Sequence, residues 1–171
     1  AEVVLISGPV ALEPPTGPLL RRVESTSDLE AAVRSELPRA DVLVMAAAPA
    51  DFRPSDPSSS KRSRVDGALA VPMEPTEDIL SGTRELRKPG SIMVGFALET
   101  GDALAKGKAK LERKDLDFIV VNDALEPGAG FEHDTNRVAI VGRDGTPSIL
   151  PLQTKREVAE AILDAVERAL G

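Results

Sequence analysis

The run Asp41-Val42-Leu43-Val44-Met45 passes directly into Ala46-Ala47-Ala48-Pro49-Ala50-Asp51-Phe52, and this junction constrains the fold more than any other stretch. A continuous series of β-branched or long apolar residues reads as a strand buried on both faces, as in a parallel sheet covered by helices. Small side chains at the carboxyl end of such a strand let a ligand lie against bare backbone, and that edge of an open α/β sheet is where ligands bind. Asp51 then offers a carboxylate and Phe52 a flat apolar face. The segment Pro54 to Arg64 is too polar and proline-broken to be core, reads as a mobile loop, and carries Lys61. A strand, a turn and a solvated loop is the simpler reading; the order of parts favours a nucleotide site.

Other segments repeat the strand–helix alternation. Val3–Ile6 reads as a buried strand, followed by a proline-rich loop from Pro9 to Pro18. Ser27-Asp28-Leu29-Glu30 has capping-box spacing, and Leu29, Val33 and Leu37 give the helix an apolar face before Pro38 stops it. A short strand is expected around Ala68–Val71, then a helix over Asp78–Leu86 with Thr76 as its N-cap, ended by Lys88-Pro89-Gly90. Ile92–Ala97 and Phe118–Val121 read as strands flanking a helix over Asp102–Arg113. Val138–Val141 and Ile149–Leu150 form a hairpin about the Asp144-Gly145 turn. Thr154 and Glu157 make a second capping box for a helix that buries Val158, Ile162 and Val166 and ends at Gly171. The expected fold is α/β and Rossmann-like: a mostly parallel sheet, helices on both faces, and a small antiparallel excursion near the C-terminus.

With 171 residues, of which 42% are hydrophobic and 29% charged, the chain has the length and composition of one globular domain. Its formal charge of −7 argues against nucleic-acid partners and anionic membrane surfaces. No apolar run approaches the ~20 residues of a membrane span, and the absence of cysteine excludes disulfides and thiolate metal sites. A cytoplasmic location is expected. Aromatic residues are only 2% of the chain, so the core is aliphatic and Phe52 and Phe96, both beside small-residue strand ends, are conspicuous.

Lys106, Lys110 and Lys114 recur on one helix face. They fit either a solvated surface or, beyond the strand end Gly95-Phe96-Ala97-Leu98-Glu99-Thr100, a polyphosphate or the polar edge of a base. Asn122-Asp123 at the next strand end fits a turn cap or a ligand contact. His133 is the single histidine, in the polar turn Phe131 to Asn136, which rules out a histidine metal site. No Gly-x-Ser-x-Gly elbow, Gly-x-Gly-x-x-Gly or Walker loop is present.

Taken in order, Leu5-Ile6-Ser7-Gly8-Pro9-Val10, Met45-Ala46-Ala47-Ala48 with Ala50-Asp51-Phe52, Asp78-Ile79-Leu80, Val94-Gly95-Phe96-Ala97 with Glu99-Thr100, Lys110-Leu111 with Lys114, Asp117 and Asn122-Asp123, and Gly130-Phe131 with Asp134 and Asn136 resemble the bacterial phosphopantothenate–cysteine ligases, or phosphopantothenoylcysteine synthetases. The resemblance implies a Rossmann-like homodimer that joins 4′-phosphopantothenate to L-cysteine in coenzyme A biosynthesis, with CTP and Mg²⁺ in bacteria and ATP in the eukaryotic branch. It implies an acyl-cytidylate intermediate, with diphosphate released as it forms and CMP released when the cysteine amine displaces it, and a flavin (FMN) only where a decarboxylase domain is fused. Carried over by position, it assigns nucleotide contacts to Ala47, Ala48, Asp51, Phe52, Lys61, Asp78, Ile79, Leu80, Phe96, Lys110 and Lys114. It assigns a catalytic, loop-borne role to Lys61, and no metal ligands.

Pro49 and Glu77 depart from the family's usual valine and proline. Family members also begin with an earlier strand and Gly-rich turns, so residues 1–171 are expected to be a single domain lacking its first β-α unit. An inactive nucleotide-binding or dimerisation fragment therefore stands as the alternative. A short-chain nicotinamide oxidoreductase fits less well, since the chain has no Tyr-x-x-x-Lys pair.

Overall fold

The computed structural model describes residues 1–57, 60, 69–123 and 134–171. Its centre is a five-stranded sheet in the order β10-β9-β7-β6-β3. The strands β3 (Val42–Met45), β6 (Ile92–Glu99) and β7 (Phe118–Asp123) run parallel, while β9 (Val138–Gly142) and β10 (Pro147–Ile149) close the antiparallel hairpin expected about Gly145.

Alternation along β6 divides the core. Met93 and Ala97 face one side, with Leu29 and Val33 of α1 (Thr26–Glu36), Leu37, Leu80 of α2 (Ile79–Gly82) and Leu111 of α3 (Ala103–Arg113). Ile92 and Val94 face the other, against Val158, Ile162 and Val166 of α4 (Lys155–Leu170). Helices thus cover both faces. Glycine permits the tightest approach: a Cβ on Gly107 would stand 2.3 Å from Val121 Cγ2, so α3 seats directly on β7.

Several local expectations are corrected. β1 (Val4–Ser7) is half-buried rather than buried and pairs in parallel with β2 (Leu19–Arg22), a strand with no clear sequence signal, in a sheet of its own. The α1 cap is Ser25, not Ser27: its Oγ accepts the Asp28 N–H while the Asp28 carboxylate accepts the Ser25 N–H at 2.9 Å. The bond from Val23 N–H to the Ser7 carbonyl, 3.0 Å, ends the β-type pairing and turns the chain just before that serine.

β3 is an edge strand of this sheet among the described residues, and Val44 is 41% exposed, so it is not buried on both faces. The strand expected at Ala68–Val71 falls instead at β5 (Met73–Pro75), antiparallel to β4 (Phe52–Pro54). The helix expected over Asp78–Leu86 breaks into α2 and a 3₁₀ turn at Arg84–Leu86. Thr76 is not its cap; Asp78 is. Thr135–Asn136, expected as part of a turn, forms β8 and pairs with β11 (Gln153–Thr154).

Candidate functional site

The carboxyl ends of β3 and β6 lie side by side, with Met45 opposite Gly95 in the register. Beyond Met45, residues Ala46 to Asp51 are all exposed, including Ala47 and Ala48. Thr76 holds the end of this segment from outside: its hydroxyl donates to the Ala50 carbonyl at 2.6 Å and its N–H to the Asp51 carbonyl at 2.9 Å. The Phe52–Pro75 pairing continues that tie into the β4–β5 hairpin, where Phe52 stays 59% exposed and Arg53 Nε donates to Glu74 Oε1 at 2.8 Å. Through these bonds the small-residue strand end is fastened to the chain that enters α2.

Asp78 is the N-cap of α2, its side chain accepting from the Ser81 N–H, and Lys114 Nζ lies 3.1 Å from its Oδ1. Burial works to raise the Asp78 carboxyl, but the hydrogen bond and charge of Lys114, with Ser81, bring it below its ordinary value. Ile79 and Leu80 are buried and anchor the turn in the core. One helical turn before Lys114, Lys110 forms a close ion pair with Glu99, the last residue of β6. Another turn back, Lys106 Nζ donates to the Thr100 carbonyl at 2.6 Å. The lysine stripe is therefore not merely a solvated face: each lysine turns toward the β6 end or the α2 cap.

These contacts bring Asp78, Lys110 and Lys114 together on the α3 side of the sheet. Phe96 does not join them. Alternation sends it, with Val94 and Leu98, to the α4 side, where Phe96 is 40% exposed and Leu98 and Val44 are similarly open. Lys61, Phe131 and His133 lie outside the described residues. Among the described residues, no group of three or more histidine, cysteine or acidic side chains could hold a metal ion.

Two participants have no obvious local signal in the sequence. Glu99 is the carboxylate against which Lys110 rests. Arg87 sends its guanidinium to the Leu80 carbonyl at 2.8 Å, the Lys114 carbonyl at 3.0 Å and the Asp115 carbonyl at 2.5 Å.

A family model described as "DNA/pantothenate metabolism flavoprotein C-terminal domain" matches residues 1–170. The chain belongs to this family. Over 167 residues it is 40% identical to the coenzyme A biosynthesis bifunctional protein CoaBC of Bacillus subtilis, covering 97% of the chain and 41% of that protein. It is also 39% identical over 164 residues to a cysteine/cysteine sulfinic acid decarboxylase of an unknown prokaryotic organism, covering 95% of the chain and 46% of the relative. Among solved structures, the C-terminal domain of a coenzyme A biosynthesis bifunctional protein CoaBC superposes with a TM-score of 0.79 at 36% identity, covering 99% of this chain and 74% of that one. The α/β, Rossmann-like architecture is thus that of the CoaBC C-terminal domain. The chain spans less than half the length of these two curated relatives. No helix among the described residues is long and apolar enough to cross a membrane.

Proposed function

We propose that this domain carries the nucleotide side of a cytoplasmic, homodimeric, CTP-dependent ligase that joins 4′-phosphopantothenate and L-cysteine. The observation that carries the reading is the pair of carboxylate-held lysines, Lys114 on Asp78 and Lys110 on Glu99, at the edge where Ala46 to Asp51 lie bare. Before nucleotide arrives, each ammonium already has an anionic partner. A triphosphate then exchanges one charge-assisted contact for another instead of meeting solvated, mobile cations. Ala47 and Ala48 would let the nucleotide approach backbone, Asp51 and Phe52 would flank it, and Asp78-Ile79-Leu80 would border the lysine side.

In the proposed reaction, the phosphopantothenate carboxylate attacks the α-phosphorus. The α–β phosphoanhydride bond breaks, diphosphate leaves, and an acyl-cytidylate remains. The cysteine amine then attacks the acyl carbon, CMP departs with the C–O bond electrons, and the amine loses a proton. The chain's own residues supply positioning and charge neutralisation, with Lys61 as the group that follows the phosphate oxygens. Mg²⁺ would accompany the triphosphate; no protein ligand is assigned to it. FMN belongs to this reading only where the complete polypeptide carries a decarboxylase domain. Diphosphate release from CTP by the complete polypeptide, dependent on both 4′-phosphopantothenate and L-cysteine, tests the reading. Absence of release with CTP and with ATP overturns it.

A further inference from the structure

We propose that Arg87 is a positioning residue for the nucleotide site, its guanidinium bracketing the backbone of α2 to the end of α3 and so setting the spacing between Asp78 and Lys114. This rests on the nucleotide reading above. The three carbonyls Arg87 reaches belong to two segments: Leu80 on one, Lys114 and Asp115 on the other. Leu80 lies two residues beyond Asp78, and Lys114 is the partner lysine itself. One planar fork therefore joins the main chains that carry both halves of the ion pair.

The need for such a bracket follows from α2. With only four residues, Ile79–Gly82, it is too short to hold its place through its own helical hydrogen bonds. Asp78 stands at its free end. On the facing side, Lys114 occupies the C-cap, where the last carbonyls of a helix lack intrahelical donors. Arg87 satisfies that demand and is itself largely enclosed, its side chain 11% exposed, with Asp115 Oδ2 at 3.6 Å. Arg84 adds an outer tie, Nη2 donating to the Arg113 carbonyl at 2.7 Å. A lysine at position 87 would keep the charge but lacks the rigid fork needed to span separate carbonyls. Arg87 thus acts through Asp78 and Lys114 and needs no contact with the nucleotide.

The test is CTP binding by calorimetry in the complete polypeptide, comparing the parent protein with Arg87→Lys, Lys114→Met and the double variant. Arg87→Lys should weaken CTP binding on the order of tenfold. In the Lys114→Met background the same change should have little further effect, because a spacing residue matters only while the spaced group is present. Unchanged binding in Arg87→Lys, or an undiminished effect without Lys114, overturns the proposal and leaves the nucleotide site intact. Failure of the parent protein to bind CTP removes the nucleotide reading and this inference with it. Should Arg87→Lys not fold, Arg87→Gln, whose neutral amide keeps a donor for one carbonyl but cannot span both segments, replaces it. A similar weakening that vanishes with Lys114→Met supports the bracket, and unchanged binding refutes it.

Discussion

Replacing Gly95 by alanine isolates a packing requirement beneath the site. Gly95 lies in β6 opposite Met45, and a Cβ there would stand 2.6 Å from Leu116 Cδ1 and 3.5 Å from Leu80 Cδ1. Carbon atoms in contact prefer about 3.5–4.0 Å, so Leu116 must withdraw by roughly 1 Å while the Leu80 contact is already ordinary. Leu116 is fully enclosed, with 0% exposure, which leaves it no solvent side to move into. Overpacking of this kind costs about 1–3 kcal/mol. Loss of glycine's freedom in the unfolded chain returns about 0.4–1 kcal/mol. Central values of about 2 and about 0.7 kcal/mol leave a net cost of about 1.3 kcal/mol, which corresponds to a fall in Tm of roughly 3–5 °C for a domain of this size. Thermal unfolding followed by circular dichroism reads it, with Gly8→Ala as the control because nothing lies within 4 Å of its new methyl. A Gly95→Ala Tm equal to or above that of the parent refutes the reasoning and means that the space around Leu116 is slack.

Two further outcomes are expected. Lys61→Gln in the complete polypeptide should lower turnover at saturating nucleotide by ~10²–10³, equivalent to about 2–4 kcal/mol of transition-state stabilisation, with folding preserved; near-normal turnover would reduce Lys61 to surface charge. The Asp78 carboxyl, held below its ordinary value, contributes stability above the unfolded carboxylate pKa of about 3.9 and loses it as pH falls through the lower folded value. Denaturant unfolding of parent and Asp78→Asn should therefore differ near neutrality and converge in acid, and a pH-independent gap would contradict the assigned charge.

Elements with a strong apolar period were legible in the sequence. Leu29, Val33 and Leu37 mark α1, Val158, Ile162 and Val166 mark α4, and the apolar runs of β6, β7 and β9 mark their strands; all these helical positions are buried. The elements that escaped are short and take their identity from distant partners. β2, Leu-Leu-Arg-Arg, becomes a strand by pairing with β1, and its Arg21 is kept beside the sheet by Glu36 of α1 at 2.6 Å. β8 and β11 have two residues each, too few for any periodicity. Two spacings fit a capping box, Ser25–Asp28 and Ser27–Glu30, and the end of β2 decided between them. In the site, the lysine stripe was legible as a helical repeat. Asp78 and Glu99 stood in the quoted motifs, but their pairing with Lys114 and Lys110 was not legible, because those pairs are made by the packing of α2 and β6 against α3.

The same alternation that builds the core sets the path of any ligand that uses both groups of candidate residues. Ala97 packs toward α3 and Glu99, on the same side, meets Lys110, whereas Phe96 and Leu98 open toward α4. No ligand confined to one face of the sheet reaches both Lys110 and Phe96. One that touches both must pass around β6, either past its carboxyl end at Thr100 and Gly101 or over the gap beyond Met45, where β3 stops opposite Gly95. Gly101 adopts φ +78° with nothing within 4 Å of a notional Cβ, and Asp102 caps α3 by accepting the Ala105 N–H at 3.2 Å. A side chain at Gly101 would be strained by the backbone angle alone. On the proposed reading, a nucleotide that uses both Phe96 and Lys110 passes from the apolar face to the lysines either at the open Gly101 turn or over the bare strand end beside Ala47 and Ala48.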